Sequence, residues 1–427
     1  MDSLPSSLNS SKRLKEEFVS NLTGSSILEV AAVLTNVSIL ILLRHSVSSD
    51  RLIKDVSLKK SDDENLSSKD WRAYITTLAA DFLVIVLPTI LFLTVLSDWT
   101  YIWTISLMTL LFFICAAKGS CSHSPPFEPG VHSLKSVLSS YRFSVMIGTC
   151  LCIMAVDFRI FPRKYAKTET YGTSLMDLGV GSFVLVNSLV SRQARSVSSM
   201  SWKTAFQSTS PLIILGLVRL VSTASVDYQV HVSEYGVHWN FFFTLAAVSI
   251  LTSIINVPPS YSGILGSLVL VGYWGMYLLG VQLGNYLFFG NHSSAMLRSN
   301  SWARVWIPML LFWTTVLLDR YVEGVSRRMC NLPYVTMVLA LNLQVLSVLT
   351  LSDYIPGSKT SILEQAFNRN LLGSFLLANV LTGLVNLSVD TLSASSVAAL
   401  FILVLYASVL TIVVGIADFC CIRLKFW

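Results

Sequence analysis

Val397-Ala-Ala-Leu-Phe-Ile-Leu-Val-Leu-Tyr-Ala-Ser-Val-Leu-Thr-Ile-Val-Val-Gly-Ile416 runs for twenty positions without a charged residue. A helix rises about 1.5 Å per residue, so a run of this length matches the roughly 30 Å hydrocarbon core of a bilayer. The apolar residues are continuous, whereas a membrane barrel strand alternates, so a helix is predicted. Similar runs recur at 25–43, 74–96, 99–117, 141–156, 172–190, 211–225, 239–257, 261–281, 303–318, 332–351 and 370–387, about twelve in all. The predicted fold is an all-α polytopic membrane protein with about 12–13 transmembrane helices in a single bundle. No internal repeat is visible, so an inverted-repeat transporter is not suggested.

Composition points the same way. The 427 residues are 53% hydrophobic and only 13% charged, against roughly a quarter charged in soluble proteins. The net charge of +6 reads as loop lysines and arginines that set orientation, not as a nucleic-acid footprint, and no nucleic-acid partner is expected. The seven cysteines form no C-x-x-C pair or metal spacing, and Cys420 and Cys421 close the last apolar run. No cleaved signal peptide is expected, because the first two dozen residues lack an apolar core with a cleavage site. The chain is therefore divided into a lumenal segment 1–24, a multi-span domain 25–420 and a short cytosolic tail 421–427.

Basic residues set the orientation. Arg44, Arg51, Lys54, Lys59, Lys60, Lys69 and Arg72 follow the first run, and the breaks at Arg192, Arg195 and Lys203 and at Arg320, Arg327 and Arg328 are threaded to the same, cytosolic side. The N-terminus, the loops 157–171 and 227–238 and the loop around Asn291 then face the lumen, with glycosylation sequons at Asn9, Asn21 and Asn291. Arg423 and Lys425 in the tail also prefer the cytosol, which requires an odd number of spans and makes twelve one too few.

One lumenal loop breaks that rule. Asp157-Phe-Arg-Ile-Phe-Pro-Arg-Lys-Tyr-Ala-Lys-Thr-Glu-Thr-Tyr171 places Arg159, Arg163, Lys164 and Lys167 between two apolar runs. Clustered cations beside a membrane suit phosphate head groups, Arg as a fork and Lys as a point charge. A cytosolic anchor in a mis-threaded topology accounts for them as well. Asp157 ends an apolar run, where a carboxylate needs a cation, and Lys167 is a candidate partner. Such a pair fits a base and a charge stabiliser in attack by a hydroxyl on a thioester, and it equally fits a structural ion pair.

A second constellation, Asp227-Tyr-Gln-Val-His-Val-Ser-Glu-Tyr-Gly-Val-His-Trp-Asn-Phe-Phe-Phe243, brings together His231, Glu234, Tyr235, His238, Trp239 and Asn240. A helical turn would align His231, Glu234 and His238, but the spacing is not that of a zinc site, and no metal is expected. Tyr235, Trp239 and Phe241 read as interfacial anchors. A third signal is Gly24-Ser-Ser26 ahead of the first run, which suits a helix cap or an anion site.

Three stretches then carry a resemblance. Phe18-Val-Ser-Asn-Leu-Thr-Gly-Ser-Ser26, residues 157–169 with Tyr171-Gly-Thr-Ser-Leu-Met-Asp-Leu-Gly-Val-Gly-Ser-Phe183, and the 227–241 segment resemble the inositol acyltransferases of glycosylphosphatidylinositol (GPI) anchor biosynthesis, the Gwt1 and PIG-W proteins. The resemblance implies thirteen spans, an endoplasmic reticulum membrane, a lumenal N-terminus and a cytosolic C-terminus. It implies transfer of a fatty acyl group, typically palmitoyl, from acyl-CoA to the inositol 2-hydroxyl of glucosaminyl-phosphatidylinositol. Acyl-CoA is then a co-substrate, no cofactor is tightly bound, and the remaining partners are the glycolipid and membrane lipids. The family's catalytic Asp and Lys fall on Asp157 and Lys167. Arg159, Arg163, Lys164, Glu169, His231, Glu234, Tyr235, His238, Trp239, Asn240, Asn21 and Ser25 are the expected substrate-binding residues. The rivals are a membrane-bound O-acyltransferase of another class using His238, and a non-enzymatic lipid or solute transporter.

Overall fold

The computed structural model describes residues 17–18, 20–47, 71–121, 131–197, 202–225, 239–269, 272–289, 301–355 and 360–423. His231, Glu234, Tyr235, His238, Asn9 and Asn291 lie outside the described residues. Every regular element among the described residues is a helix. In chain order these are α1 (Ile27–Val47), α2 (Trp71–Leu93), α3 (Thr100–Cys121), α4 (Val131–Ala155), α5 (Leu178–Leu189), α6 (Trp202–Ser225) and α7 (Phe241–Ile255). There follow α8 (Pro259–Val269), α9 (Tyr273–Gly284), α10 (Ser301–Tyr321), α11 (Leu332–Leu349), α12 (Ile362–Arg369), α13 (Leu371–Ser388) and α14 (Ser396–Phe419). Seven of the described helices are long and apolar enough to cross a membrane, namely α1 to α4, α11, α13 and α14. The chain divides into two compact units, one of residues Met1–Val30 and Arg163–Leu343 with the last two residues, the other of Ala31–Pro162 and Gln344–Lys425.

In the first unit small residues let helices touch. A Cβ on Gly280 of α9 would lie 1.9 Å from the Ser188 hydroxyl of α5, and one on Gly181 of α5 would lie 2.8 Å from Val338 of α11. This is the packing a bilayer favours, where close van der Waals approach replaces the hydrophobic drive. The run 261–281, read as one span, is two antiparallel helices: Gly263 of α8 meets Gln282 of α9, and Gly266 meets Gly275 and Leu279. The amide of Gly272, at φ +102, starts α9 and donates to the Cys330 carbonyl at 3.1 Å. At the other end of α9, Asn285 Nδ2 donates to the Ala194 carbonyl at 2.8 Å and to Ser196 Oγ at 3.0 Å.

At 11 and 12 residues, α8 and α9 do not form the one span expected of 261–281, and two contacts depart from the expected threading. Asn285, which leads towards Asn291, sits with the 191–197 loop that was assigned to the opposite compartment. The 322–331 loop likewise joins the 163–177 loop instead of facing away from it: the Gly172 amide donates to the Val325 carbonyl at 2.8 Å. The helix in 172–190 also begins later than expected, at Leu178.

In the second unit α2 carries a π-turn at Phe82–Val86, next to Pro88, whose missing N–H removes a rung of the helical ladder. A buried ion pair and a buried histidine–carboxylate hydrogen bond lie against the amphipathic helix α12. Arg44 Nε lies 2.5 Å from Asp81 Oδ1, His45 Nε2 lies 2.6 Å from Glu364 Oε2, and Asp81 Oδ2 also accepts the Leu363 amide at 2.9 Å. Ser361 and Glu364 form a reciprocal capping box that starts α12.

Candidate active site

The loop after α4 opens on Asp157, in the second unit. Its backbone continues the last turn of α4, with the Asp157 amide 3.4 Å from the Met154 carbonyl, so the carboxylate stands at a helix C-terminus. The macrodipole opposes negative charge there, and a donor is needed. Asn386, on the last turn of α13, supplies one: its Nδ2 donates to Asp157 Oδ2 at 2.8 Å. Asp157 is half-buried and Arg159 is exposed.

From Arg163 the loop belongs to the first unit. Residues Arg163–Tyr165 make one 3-10 turn, with Tyr165 and Ala166 buried beneath it. Arg163 lays its guanidinium 4.0 Å from the centroid of the Phe18 ring, a cation–π contact. Lys164 Nζ is 2.8 Å from Glu29 Oε1, and the Tyr165 hydroxyl donates to the same oxygen at 2.9 Å. Lys164 is thus ion-paired within the fold, and Lys167 is exposed.

Between them the motif is clamped. Asp177, fully buried at the start of α5, receives Arg327 Nε at 2.7 Å and the Thr168 hydroxyl at 2.8 Å. Burial pushes the Asp177 carboxyl upward from its ordinary value, and Arg327, Thr168 and Ser174 pull it back. The Tyr334 hydroxyl donates to the Asp177 carbonyl at 2.9 Å, and Ser326 Oγ to the Thr170 carbonyl at 2.7 Å. Lys167 is therefore held one residue from a buried ionic anchor.

The N-terminal motif packs on this loop. The Ser25 amide donates to the Thr173 carbonyl at 2.7 Å and the Thr173 hydroxyl returns a bond to Ser25; the Glu169 amide donates to the Leu22 carbonyl at 3.2 Å, and the Asn21 amide to Glu169 Oε2 at 3.1 Å. Ser26 Oγ accepts the Glu29 amide at 3.2 Å and so caps α1. The Ser25 hydroxyl is buried and has no hydrogen-bond partner among the described residues. Gly24, at φ +84, crosses so close that a Cβ would lie 2.1 Å from the Thr173 carbonyl oxygen. Gly24→Ala is expected to cost at least the 1–3 kcal/mol or so of a strained left-handed residue. A lower thermal midpoint of the purified protein would register it, and an unchanged midpoint would refute the close approach.

Asn240, expected to bind substrate, is used by the fold. Its Oδ1 accepts the Phe242 and Phe243 amides at 3.0 and 3.2 Å as the N-cap of α7, and its Nδ2 donates to the Gly216 carbonyl of α6 at 2.9 Å. Trp239 is exposed, with Nε1 donating to Thr244 at 3.0 Å. Asp177, Arg327, Glu29 and Asn386 were not among the expected site residues. Cys330 lies beside the clamp, and burial pushes its thiol up to about 12.

Comparison with known proteins places this arrangement. The family model GWT1 matches residues 11–271 and 265–417. An uncharacterised protein of Arabidopsis thaliana is 50% identical over 91% of this chain and 98% of its own. A GPI-anchored wall transfer protein 1 of Aspergillus oryzae is 33% identical over 94% of this chain and 97% of its own. A glucosaminyl-phosphatidylinositol-acyltransferase PIGW of Bos taurus is 30% identical over 98% of this chain and 100% of its own. With a family model and relatives that match nearly end to end, the chain belongs to the GWT1 family.

Proposed function

We propose that this protein transfers a fatty acyl group from acyl-CoA to the inositol 2-hydroxyl of glucosaminyl-phosphatidylinositol, in the endoplasmic reticulum membrane, with its N-terminus lumenal and its C-terminus cytosolic. The observation that carries this reading is the end-to-end match to a relative named for that acyl transfer. The proposed donor is palmitoyl-CoA, a co-substrate and not a resident cofactor. Asp157 takes the proton of the 2-hydroxyl, whose oxygen bonds to the acyl carbon. The carbon–sulfur bond breaks, and the proton passes from Asp157 to the departing CoA thiolate. Lys167 stabilises charge developing on the thioester oxygen. The proposed transfer is direct, without an acyl-enzyme. Arg159 and Arg163 supply charge for phosphate groups, and His231, Glu234, Tyr235, His238 and Trp239 complete the head-group pocket.

The test is the full-length protein in microsomes that lack their own inositol acyltransferase, supplied with labelled palmitoyl-CoA and glucosaminyl-phosphatidylinositol. Label appearing in the glycolipid, released by alkali as an ester, is expected. Movement of lipid across reconstituted liposomes without acylated product would overturn the reading in favour of a transporter.

A further inference from the structure

Helix α13 handles its polar side chains in two ways. Ser374, Asn379, Thr382 and Ser388 each donate to the carbonyl four residues earlier, at 3.0, 2.7, 2.9 and 2.7 Å. This is the ordinary way to satisfy a polar group on an apolar helix, since the donor finds its acceptor within its own segment. Asn386 departs from it. Its Nδ2 bypasses its own helix and donates to Asp157 Oδ2 at 2.8 Å, while its Oδ1 is buried with no hydrogen bond among the described residues. The amide orientation follows from chemistry, because only the NH₂ side can face a carboxylate. Leaving a buried carbonyl oxygen unsatisfied costs free energy that the local pattern of Asn379 would avoid. The fold keeps Asn386 turned away from its own helix.

We propose that Asn386 is a positioning residue for Asp157. It donates to one carboxylate oxygen and so restrains the plane of the group in which the proton is taken. It also sets a donor dipole against the unfavourable helix C-terminal field at Asp157, which keeps the carboxylate seated. Nothing in its sequence setting marks it: it is a neutral amide in Leu384-Val-Asn386-Leu-Ser388, one of two asparagines inside the same apolar helix.

The inference rests on the assignment of Asp157 as the base, so the experiment separates the two. Asn386→Leu keeps the volume and apolar packing of the site but removes the donor; Asn386→Gln keeps the donor one methylene further out. Both are assayed as full-length protein in the microsomal reaction, beside Asp157→Asn, with kcat and the KM for palmitoyl-CoA measured and rates normalised to protein amount. Asn386→Leu is expected to lower kcat by about 10–100-fold with KM within about twofold, a loss confined to the chemical step. Asn386→Gln is expected to recover part of it. A packing role predicts the reverse order, with Leu tolerated and Gln disruptive, and that order would overturn the proposal. Should Asn386→Leu not accumulate, Asn386→Ala carries the test, and wild-type kcat in it would overturn the proposal equally. Full activity in Asp157→Asn would instead sink the base assignment, whereas an inactive Asp157→Asn beside a normal Asn386→Leu sinks only the positioning role.

Discussion

Asp157→Asn is expected to lower acyl transfer by about 10²–10⁴-fold, the range over which a positioned general base contributes. The substitution is isosteric and leaves the Asn386 Nδ2 bond an acceptor oxygen, so the side chain keeps its place while losing the ability to take a proton. Lys167→Ala removes an exposed cation one residue from the Thr168–Asp177 clamp and is expected to cost a similar factor at unchanged protein level. Lys167→Arg keeps the charge but spreads it over a wider planar fork, so only part of the activity should return. The measurement is label transferred from palmitoyl-CoA to glycolipid per unit of full-length protein. Activity within threefold of wild type in both Asp157→Asn and Lys167→Ala would remove the pair from the chemistry. Loss on His238→Ala with Asp157→Asn intact would point to the histidine-dependent class of membrane acyltransferase.

What the sequence could and could not reveal follows from the range of each interaction. The apolar runs were legible because a bilayer leaves the chain no alternative to about 20 apolar residues per helix. Ser26 was equally legible, since a cap acts on the next turn of the same segment. The break between α8 and α9 was not: Gly272 is the lone turn residue there, both flanks are as apolar as one continuous span, and their pairing is visible only through the contacts of Gly263 and Gly266. The place of Arg327 was not legible either. An orientation rule treats every arginine as a solvated charge, whereas Arg327 is buried against an aspartate 150 residues away. The structural role of Asn240 was missed for the opposite reason. Its histidine and glutamate neighbours drew attention to a head-group site, while its own position, directly before Phe241, was that of an N-cap.

Asp177→Ala and Arg327→Ala are each expected to destabilise the protein by about 3–5 kcal/mol, because either change strands the partner charge in a buried site. Asp177 has no exposed surface and Arg327 is 5% exposed, so solvent screening leaves the pair nearly intact. The clamp joins residues far apart in sequence: Asp177 holds Thr168, Arg327 reaches the Thr168 carbonyl at 3.5 Å, and Ser326 and Val325 hold Thr170 and Gly172. Loss of either charge therefore frees the backbone on which Lys167 stands, and activity per molecule should fall along with accumulation. The double variant Asp177→Ala with Arg327→Ala should cost clearly less than the two single changes together, since no uncompensated charge remains. Thermal midpoints of the four proteins in detergent, with acyl transfer measured on the surviving fraction, test this. Single variants as stable as wild type, or strictly additive losses in the double variant, would show that the pair does not hold the motif loop. If the coupling is found and transfer by the surviving double variant is also reduced, the clamp's second role is established: it keeps the cation of the motif in register with the reaction it serves.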